Sequence, residues 1–311
     1  MIASLYRRAG RLPGSRPARA GQRHEGLVGW SFALPFMVFF TVFMAGPIVA
    51  ALVTSFTDLR VTDIRDPLNV NLVGVDNYLD VLRSNVFHKA ATNTVIFVLV
   101  GIPLTMALGL LAAVGLNSGI VKFRTVFRVG YYTPVVTSIA AVAVVWRMLL
   151  GAEVGLINGI LSGFGITGPR WLTDPSLALG SLIVMAAWRN LGFLMIIFLA
   201  GLQAIPRHLY EAAEVDGAGR WHQFWKVTLP MLRPTMLFAA VITGIGYLQF
   251  FEEPFVMTQG GPLNSTLSVA YHAYNQFSFG NYGYTAAVAY LLFVAIALLT
   301  LFWFKLFRPN T

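Results

Sequence analysis

The stretch Glu211-Ala212-Ala213-Glu214-Val215-Asp216-Gly217-Ala218, running on to Leu229-Pro230, is a polar and aromatic-rich break between long apolar runs. Its surroundings decide what kind of chain this is. Of 311 residues, 57% are hydrophobic and only 11% charged, and the mean hydropathy is +0.68. Soluble domains carry roughly a quarter charged residues, so the composition places the chain among integral membrane proteins. There is no cysteine, which excludes disulfides, thiolate metal sites and cysteine nucleophiles. A net charge of +9 would suggest nucleic acid in a soluble protein. In so apolar a chain, membrane orientation accounts better for the basic residues, and no nucleic-acid partner is expected.

A bilayer core of about 30 Å needs about 20 apolar residues per helix. Six segments qualify on either side of the opening stretch: 28–56, 90–116, 126–149, 176–203, 235–257 and 283–306. Pro35, Pro47, Pro103 and Pro134 fall inside the first three and are tolerable in membrane helices. The predicted fold is an all-α membrane protein with six transmembrane helices. Residues 1–26 form a basic tail with Arg7, Arg8, Arg11, Arg16, Arg19 and Arg23, and 27–311 form one membrane domain. The uncharged run from Leu27 to Thr57 is longer than the roughly 7–15 residues of a signal-peptide core, so it is expected to stay as the first span.

Charge in the loops orients the chain. An inside N-terminus puts the Arg-rich tail, Lys122, Arg124, Arg128, Arg207, Arg220, Lys226, Arg233, Lys305 and Arg308 in the cytoplasm. Outside, Arg60, Arg65, Arg83, Lys89 and Arg170 are offset by Asp58, Asp63, Asp66, Asp76, Asp80, Glu153 and Asp174. This positive-inside bias predicts both termini in the cytoplasm and the interruption at 204–234 facing the cytoplasm. The segment 57–89 is expected to be a small external cap with a helix at Asn77–Leu82, and 151–168 a re-entrant or surface turn region.

Several chemistries find no residues. There is no phosphate-binding Gly-x-x-x-x-Gly-Lys-Ser/Thr and no Gly-x-Ser-x-Gly elbow. His24, His88, His208, His222 and His272 are scattered, so no metal site is expected, nor any catalytic residue. If ATP is used, a partner binds it.

Within 204–234, Pro206 suits a first helical turn. Leu209, Ala212, Ala213 and Asp216 then share one face, kept flat by the alanines. Asp216-Gly217 signals a turn. Trp221, Phe224, Trp225 and Thr228 are at helical spacing in a second short helix, ended by Leu229-Pro230. Two readings stand here. The hairpin is a docking element, or it is a plain connector whose aromatic residues anchor at the headgroup level.

Glu211-Ala212-Ala213, Asp216-Gly217-Ala218 and Leu229-Pro230 resemble the EAA loop of binding-protein-dependent ABC importer permeases. Trp146 with Gly155-Leu156-Ile157-Asn158 is similar to a segment of carbohydrate permeases. Trp171-Leu172-Thr173-Asp174-Pro175 and Gly201-Leu202-Gln203-Ala204-Ile205-Pro206 resemble stretches leading into that loop. Thr258-Gln259-Gly260-Gly261-Pro262 resembles the first permease subunit of the maltose and glycerol-phosphate type. The resemblance covers about 30–306 and implies a type I ABC importer permease fold in a bacterial or archaeal plasma membrane. It implies a second related permease subunit, two copies of an ATPase that bind ATP and Mg, an extracytoplasmic solute-binding protein, and no cofactor in this chain. Glu211, Ala212, Ala213, Glu214, Asp216, Gly217, Leu229 and Pro230 are then the ATPase-coupling residues. Glu211 is the acidic contact, the alanines allow close approach, and Gly217 makes the turn.

Ionisable residues at membrane depth are functional candidates, which singles out Arg189, Glu252 and Glu253. The resemblance implies that the helices flanking the loop line a sugar cavity. Counting along it puts Arg189, Asn190 and Phe193 on one wall and Thr243, Tyr247 and Phe250 on another, with Ser138 as a third contact. Aromatic faces with amides and hydroxyls suit a sugar. Arg189 and Phe250 depart from the small or amide residues of maltose permeases, so maltose itself is not the expected cargo and a phosphorylated polyol is the alternative. An ion-gradient-driven secondary transporter is the competing class, but the two related halves usual there are not found.

Overall fold

A computed structural model describes residues 19–65, 70–118, 122–153 and 155–306, with side chains from Trp30 onward except Ile64. Most of the basic tail, Asp66 and Arg308 lie outside the described residues, as do the side chains of Arg19, Arg23 and His24. The chain divides into two compact units, Met1–Val53 and Thr54–Thr311, where the composition predicts a single membrane domain from 27.

In the first unit, α1 (Arg19–Phe40) runs through a π-helical turn, Thr41–Ala45, into α2 (Gly46–Thr54). Pro47 has no N–H to give, and the helix widens just before it, with the Gly46 amide bonded to the Thr41 carbonyl. Trp30–Thr54 is long and apolar enough to cross a membrane.

The second unit opens with a 3-10 turn, Val61–Arg65, and α3 (Asp76–Arg83), the helix expected around Asn77–Leu82. Ser84 caps α4 (Asn85–Asn117) by accepting the Phe87 amide. Then follow α5 (Arg124–Val136), α6 (Ile139–Leu149) and α7 (Leu156–Gly163), the last within the segment expected to be turns. The long α8 (Ala178–Gln203) leads to a cluster of short helices. These are α9 (Arg207–Val215), α10 (Arg220–Gln223), a π turn Phe224–Thr228 and α11 (Leu229–Met231). The chain finishes with α12 (Arg233–Leu248), α13 (Glu252–Met257), α14 (Val269–Ser278) and α15 (Tyr282–Leu306). Among the described residues there is no strand, only the bridges Thr57–Leu72 and Arg60–Asn281.

Four helices are long and apolar enough to cross a membrane, and six segments qualify if each of two bent pairs is one span. The second bent pair, Arg220–Met231 with Arg233–Leu248, turns by 65°. Two of the expected helices are corrected by breaks. The segment 126–149 turns by 99° between α5 and α6, with Thr137 extended and Ser138 non-helical at the joint. The segment 235–257 stops at Leu248 and restarts at Glu252. Pro254 explains the restart: in a continuous helix it would leave the Phe250 carbonyl unbonded, whereas in the first turn of α13 no amide is missed.

Packing centres on α8 against α4, with α12 crossing α4 and α15. Phe97, Leu182, Met185, Tyr247 and Phe250 form one core cluster. Leu116, Leu194, Phe198 and Leu232 form a second. Val81, Phe87, Tyr271 and Val288 form a third, beneath α3 and α14. Small residues set the closest crossings: a Cβ at Gly109 would lie 2.7 Å from that of Leu194, and one at Gly192 would overlap the Tyr131 carbonyl.

Candidate functional site

Where α8, α12, the break at 249–251 and the starts of α13 and α6 meet, they enclose a cavity of about 350 Å³. Arg189, Asn190 and Phe193 come from one face of α8, because positions i, i+1 and i+4 project together. Thr243 and Tyr247 come from α12, Phe250 from the break, and Glu252 and Glu253 from α13. Ser138 is exposed in the joint between α5 and α6 and is not in the lining; its neighbour Ile139 is. Ser138 is the non-helical N-cap of α6 while Ile139 is its first helical residue, so the two do not share a helix face.

The polar groups differ in how far they are committed. The Arg189 Nε is buried without a hydrogen-bond partner. Asn190 Nδ2 donates to the Ala186 carbonyl at 2.9 Å. The Tyr247 hydroxyl lies 2.7 Å from Thr105 Oγ1. Phe250 stacks on Phe97, centroids 3.9 Å apart and planes within 8°, so one face of its ring is spent on packing. Thr243 and Glu253 are buried, while Glu252 is exposed.

Sequence reasoning missed Ile139, Ile242, Gly246 and Gln249 in this lining. Gln249 was legible in principle as an amide ending an apolar run, but an unbroken helix points it away from Phe250. The cavity therefore offers a guanidinium, two amides, two hydroxyls, carboxylates and aromatic surface. With both charge signs present, it suits a neutral ligand with many hydroxyls and apolar C–H faces better than a plain anion. Among the described residues no group of three or more His, Cys, Asp or Glu could hold a metal.

The short-helix cluster hangs directly from the two cavity walls, because it joins the end of α8 to the start of α12. Pro206 is the extended N-cap of α9 rather than a first-turn residue. α9 ends in a Schellman motif: the Ala218 amide bonds to the Ala213 carbonyl at 2.8 Å and the Gly217 amide to that of Glu214 at 3.0 Å. The motif needs a left-handed residue, and Gly217 supplies it at φ +77. The expected common face splits. Leu209 and Tyr210 pack on the core cluster around Leu202 and Leu232, and Ala213 is half-buried. Glu211, Ala212, Glu214 and Asp216 are exposed.

Tyr210 Oη meets Thr228 Oγ1 at 3.0 Å, which ties α9 to the π turn. Leu229-Pro230 does not end the second helix but begins α11, which carries on to Met231. The π turn ahead of it shifts the bonding register, with Leu229 N–H on the Phe224 carbonyl, and so accommodates Pro230. Trp221, Phe224 and Trp225 contact one another, yet Trp221 is 74% exposed.

Two other motifs gain a physical reason. Asn158 Oδ1 accepts from the Trp171 indole at 2.8 Å, and its amide donates to the Ala152 and Pro169 carbonyls at 3.0 and 3.1 Å. The loop at 258–266 is pinned by Thr258 Oγ1 and Thr266 Oγ1, 2.7 Å apart, and by Thr266 Oγ1 donating to the Gly261 carbonyl at 2.9 Å.

Comparison with known proteins agrees with this architecture. Residues 105–311 match the family described as "Binding-protein-dependent transport system inner membrane component". The lactose transport system permease protein LacF of Rhizobium radiobacter is 35% identical over 93% of this chain and 97% of its own. The trehalose/maltose permease protein MalF of Thermococcus litoralis is 33% identical over 91% and 95%. The arabinooligosaccharides permease protein AraP of Bacillus subtilis is 33% identical over 88% and 87%. In fold, the chain is similar to one in a bacterial ABC transporter involved in import of the acidic polysaccharide alginate, with TM-score 0.78, 24% identity, and 94% of this chain and 99% of that chain covered.

Proposed function

The chain belongs to the family of binding-protein-dependent transport system inner membrane components, and from that premise we propose that it is the permease subunit of an ABC importer for a sugar or short oligosaccharide. The observation that carries the reading is that α8 and α12 both wall the mixed cavity and both run into the hairpin at 204–232. A force on α9 is thus applied to the two helices that shape the cavity. Relatives named for lactose, trehalose/maltose and arabino-oligosaccharide transport support a saccharide cargo.

In this reading the four long helices, the bent pair α5–α6 and α12 each make one crossing, six in all. Lys122, Arg124, Arg207, Arg220, Lys226, Arg233 and Lys305 favour placing the hairpin and both termini in the cytoplasm. The chain sits as a multi-pass protein in the plasma membrane beside a second, related permease. Two copies of an ATPase subunit bind ATP and Mg, and one of them docks on Glu211, Ala212 and Gly217. A solute-binding protein delivers the sugar from outside. Closure of the ATPases moves α9 and switches the cavity between inward and outward access. Arg189, Asn190, Thr243 and Gln249 bond sugar hydroxyls, and Phe193 and Phe250 cover C–H faces.

The test is the assembled transporter in proteoliposomes, presented through its solute-binding protein with lactose, maltose, trehalose or arabinotriose. At least one of these sugars is expected to stimulate ATP hydrolysis and enter the vesicles. Failure of every one, with a non-sugar solute transported instead, overturns the reading.

A further inference from the structure

A second cavity, of about 410 Å³, shares two elements with the first. α6 gives Ile139 to the first cavity and Arg147 to the second; α13 gives Glu253 to the first and Met257 to the second. Along α6 these positions are about 12 Å apart at a rise of about 1.5 Å per residue. The lining of the second cavity is also mixed, with Arg147, Thr173, Thr258 and Gln259 beside Leu172 and Pro262. A cavity between α4, α12 and α15 contrasts with it, being walled by apolar residues such as Leu99, Leu299 and Phe302.

Gln259 supplies an independent observation. Its backbone is left-handed at φ +54, followed by Gly260 at φ +79. A non-glycine residue there is strained, and such strain persists where the surroundings over-determine it. The fastenings stand on either side: the Gly260 amide bonds to the Pro254 carbonyl and the Gly261 amide to that of Thr258, in a loop already pinned through Thr266. The Gln259 side chain itself is exposed at the cavity. Its amide can both donate and accept, the Arg147 guanidinium donates in a fork, and the Thr173 hydroxyl does either. That set matches neighbouring hydroxyls on a sugar ring.

We propose that this cavity is an outer saccharide subsite, which holds one end of a disaccharide or longer sugar while the first cavity holds the other. The proposal rests on the sugar-permease reading above. Selection by length then follows, because one ring cannot reach both cavities.

The chain has no cysteine of its own, so Gln259→Cys and Asn190→Cys each introduce a single thiol, one per cavity. Thr173→Cys is a second outer reporter that leaves the strained loop intact. The assembled transporter carrying each variant is alkylated with and without lactose, maltose, trehalose and arabinotriose. The sugar that stimulates ATP hydrolysis in the unmodified transporter is expected to slow alkylation at both inner and outer thiols. Adding Arg147→Ala is expected to weaken outer protection about tenfold, the loss of one hydrogen bond to a charged group, and to leave inner protection in place. If that sugar leaves both outer thiols reacting at the sugar-free rate, the outer subsite is wrong while the sugar reading stands. If no sugar stimulates hydrolysis in the unmodified transporter, the sugar reading fails and takes the subsite with it.

Discussion

The hydroxyl of Tyr247 on α12 and that of Thr105 on α4 are 2.7 Å apart, at the edge of the mixed cavity and deep in the protein. Thr105 also bonds to the Gly101 carbonyl, and Gly101 leaves room for the tyrosine ring, since a Cβ there would sit 2.8 Å from Tyr247 Cε2. Tyr247→Phe removes one hydrogen bond and leaves Thr105 satisfied, so it is expected to cost about 1 kcal/mol. Gly101→Ala forces the ring aside and is expected to cost roughly 1–3 kcal/mol. Thermal unfolding of the purified variants ranks them, and a Gly101→Ala protein as stable as Tyr247→Phe would contradict the packing described.

Asn158 holds three partners with one side chain. Asn158→Ala leaves the Trp171 indole and two carbonyls without it, for an expected loss of about 2–3 kcal/mol. Gly168→Ala is expected to act through the same residue, because a Cβ there would overlap the Asn158 amide. Combining the two changes is therefore expected to cost less than their sum, which a double-mutant cycle reads directly.

Gly217 has nothing within 4 Å of where a Cβ would stand, so a side chain there meets no clash. Its left-handed backbone alone predicts a cost of roughly 1–2 kcal/mol for Gly217→Ala, felt as fraying of α9. Gly217→Asn is expected to be milder, since asparagine tolerates that region. Sugar transported per ATP hydrolysed is expected to fall in the same order.

His272, on α14, is buried, 3.2 Å from the Tyr284 hydroxyl and near the Phe87 ring. Burial lowers its pKa from the ordinary 6.5. The unfolded chain then binds the proton more readily than the folded one, so stability rises with pH and is lost as pH falls below about 6.5. Unfolding temperature is expected to drop between pH 7.5 and 5.5, and His272→Gln is expected to flatten that dependence. Asp58 and Asp174 act in a separate window. Hydrogen bonds from Asn71 and from Ser176 lower their carboxyl pKa values from 3.8, so their contributions are lost only in stronger acid.

How much was legible in advance depends on the physics of each feature. Long apolar runs announce helices, because a bilayer demands about 20 such residues whatever their order. The 99° turn at Thr137-Ser138 lies inside such a run, where composition cannot register backbone direction; the break at Gln249–Phe251 adjoins Glu252-Glu253. Pro254 was a usable signal for the second break, since the first turn is where a proline costs a helix no hydrogen bond. Thr243, Tyr247 and Phe250 are collected into one cavity even though the helix joining them is interrupted. Ser138 lies outside it because it sits in the non-helical joint before α6. The EAA hairpin was readable as a turn through Asp216-Gly217, but which alanine faces inward was not. That depends on Leu209 and Tyr210 docking on a core whose members are far along the chain.

The most direct test of the account is sugar uptake by the assembled transporter in sealed proteoliposomes, with ATP supplied to the ATPase subunits or an ion gradient imposed instead. Uptake is predicted to require ATP and to ignore the ion gradient. Arg189→Ala is predicted to lower sugar-stimulated hydrolysis about tenfold, the worth of one charge-assisted hydrogen bond, while Glu211→Ala separates hydrolysis from uptake. Uptake that continues without the ATPase, collapses with the ion gradient and is untouched by either substitution would contradict it.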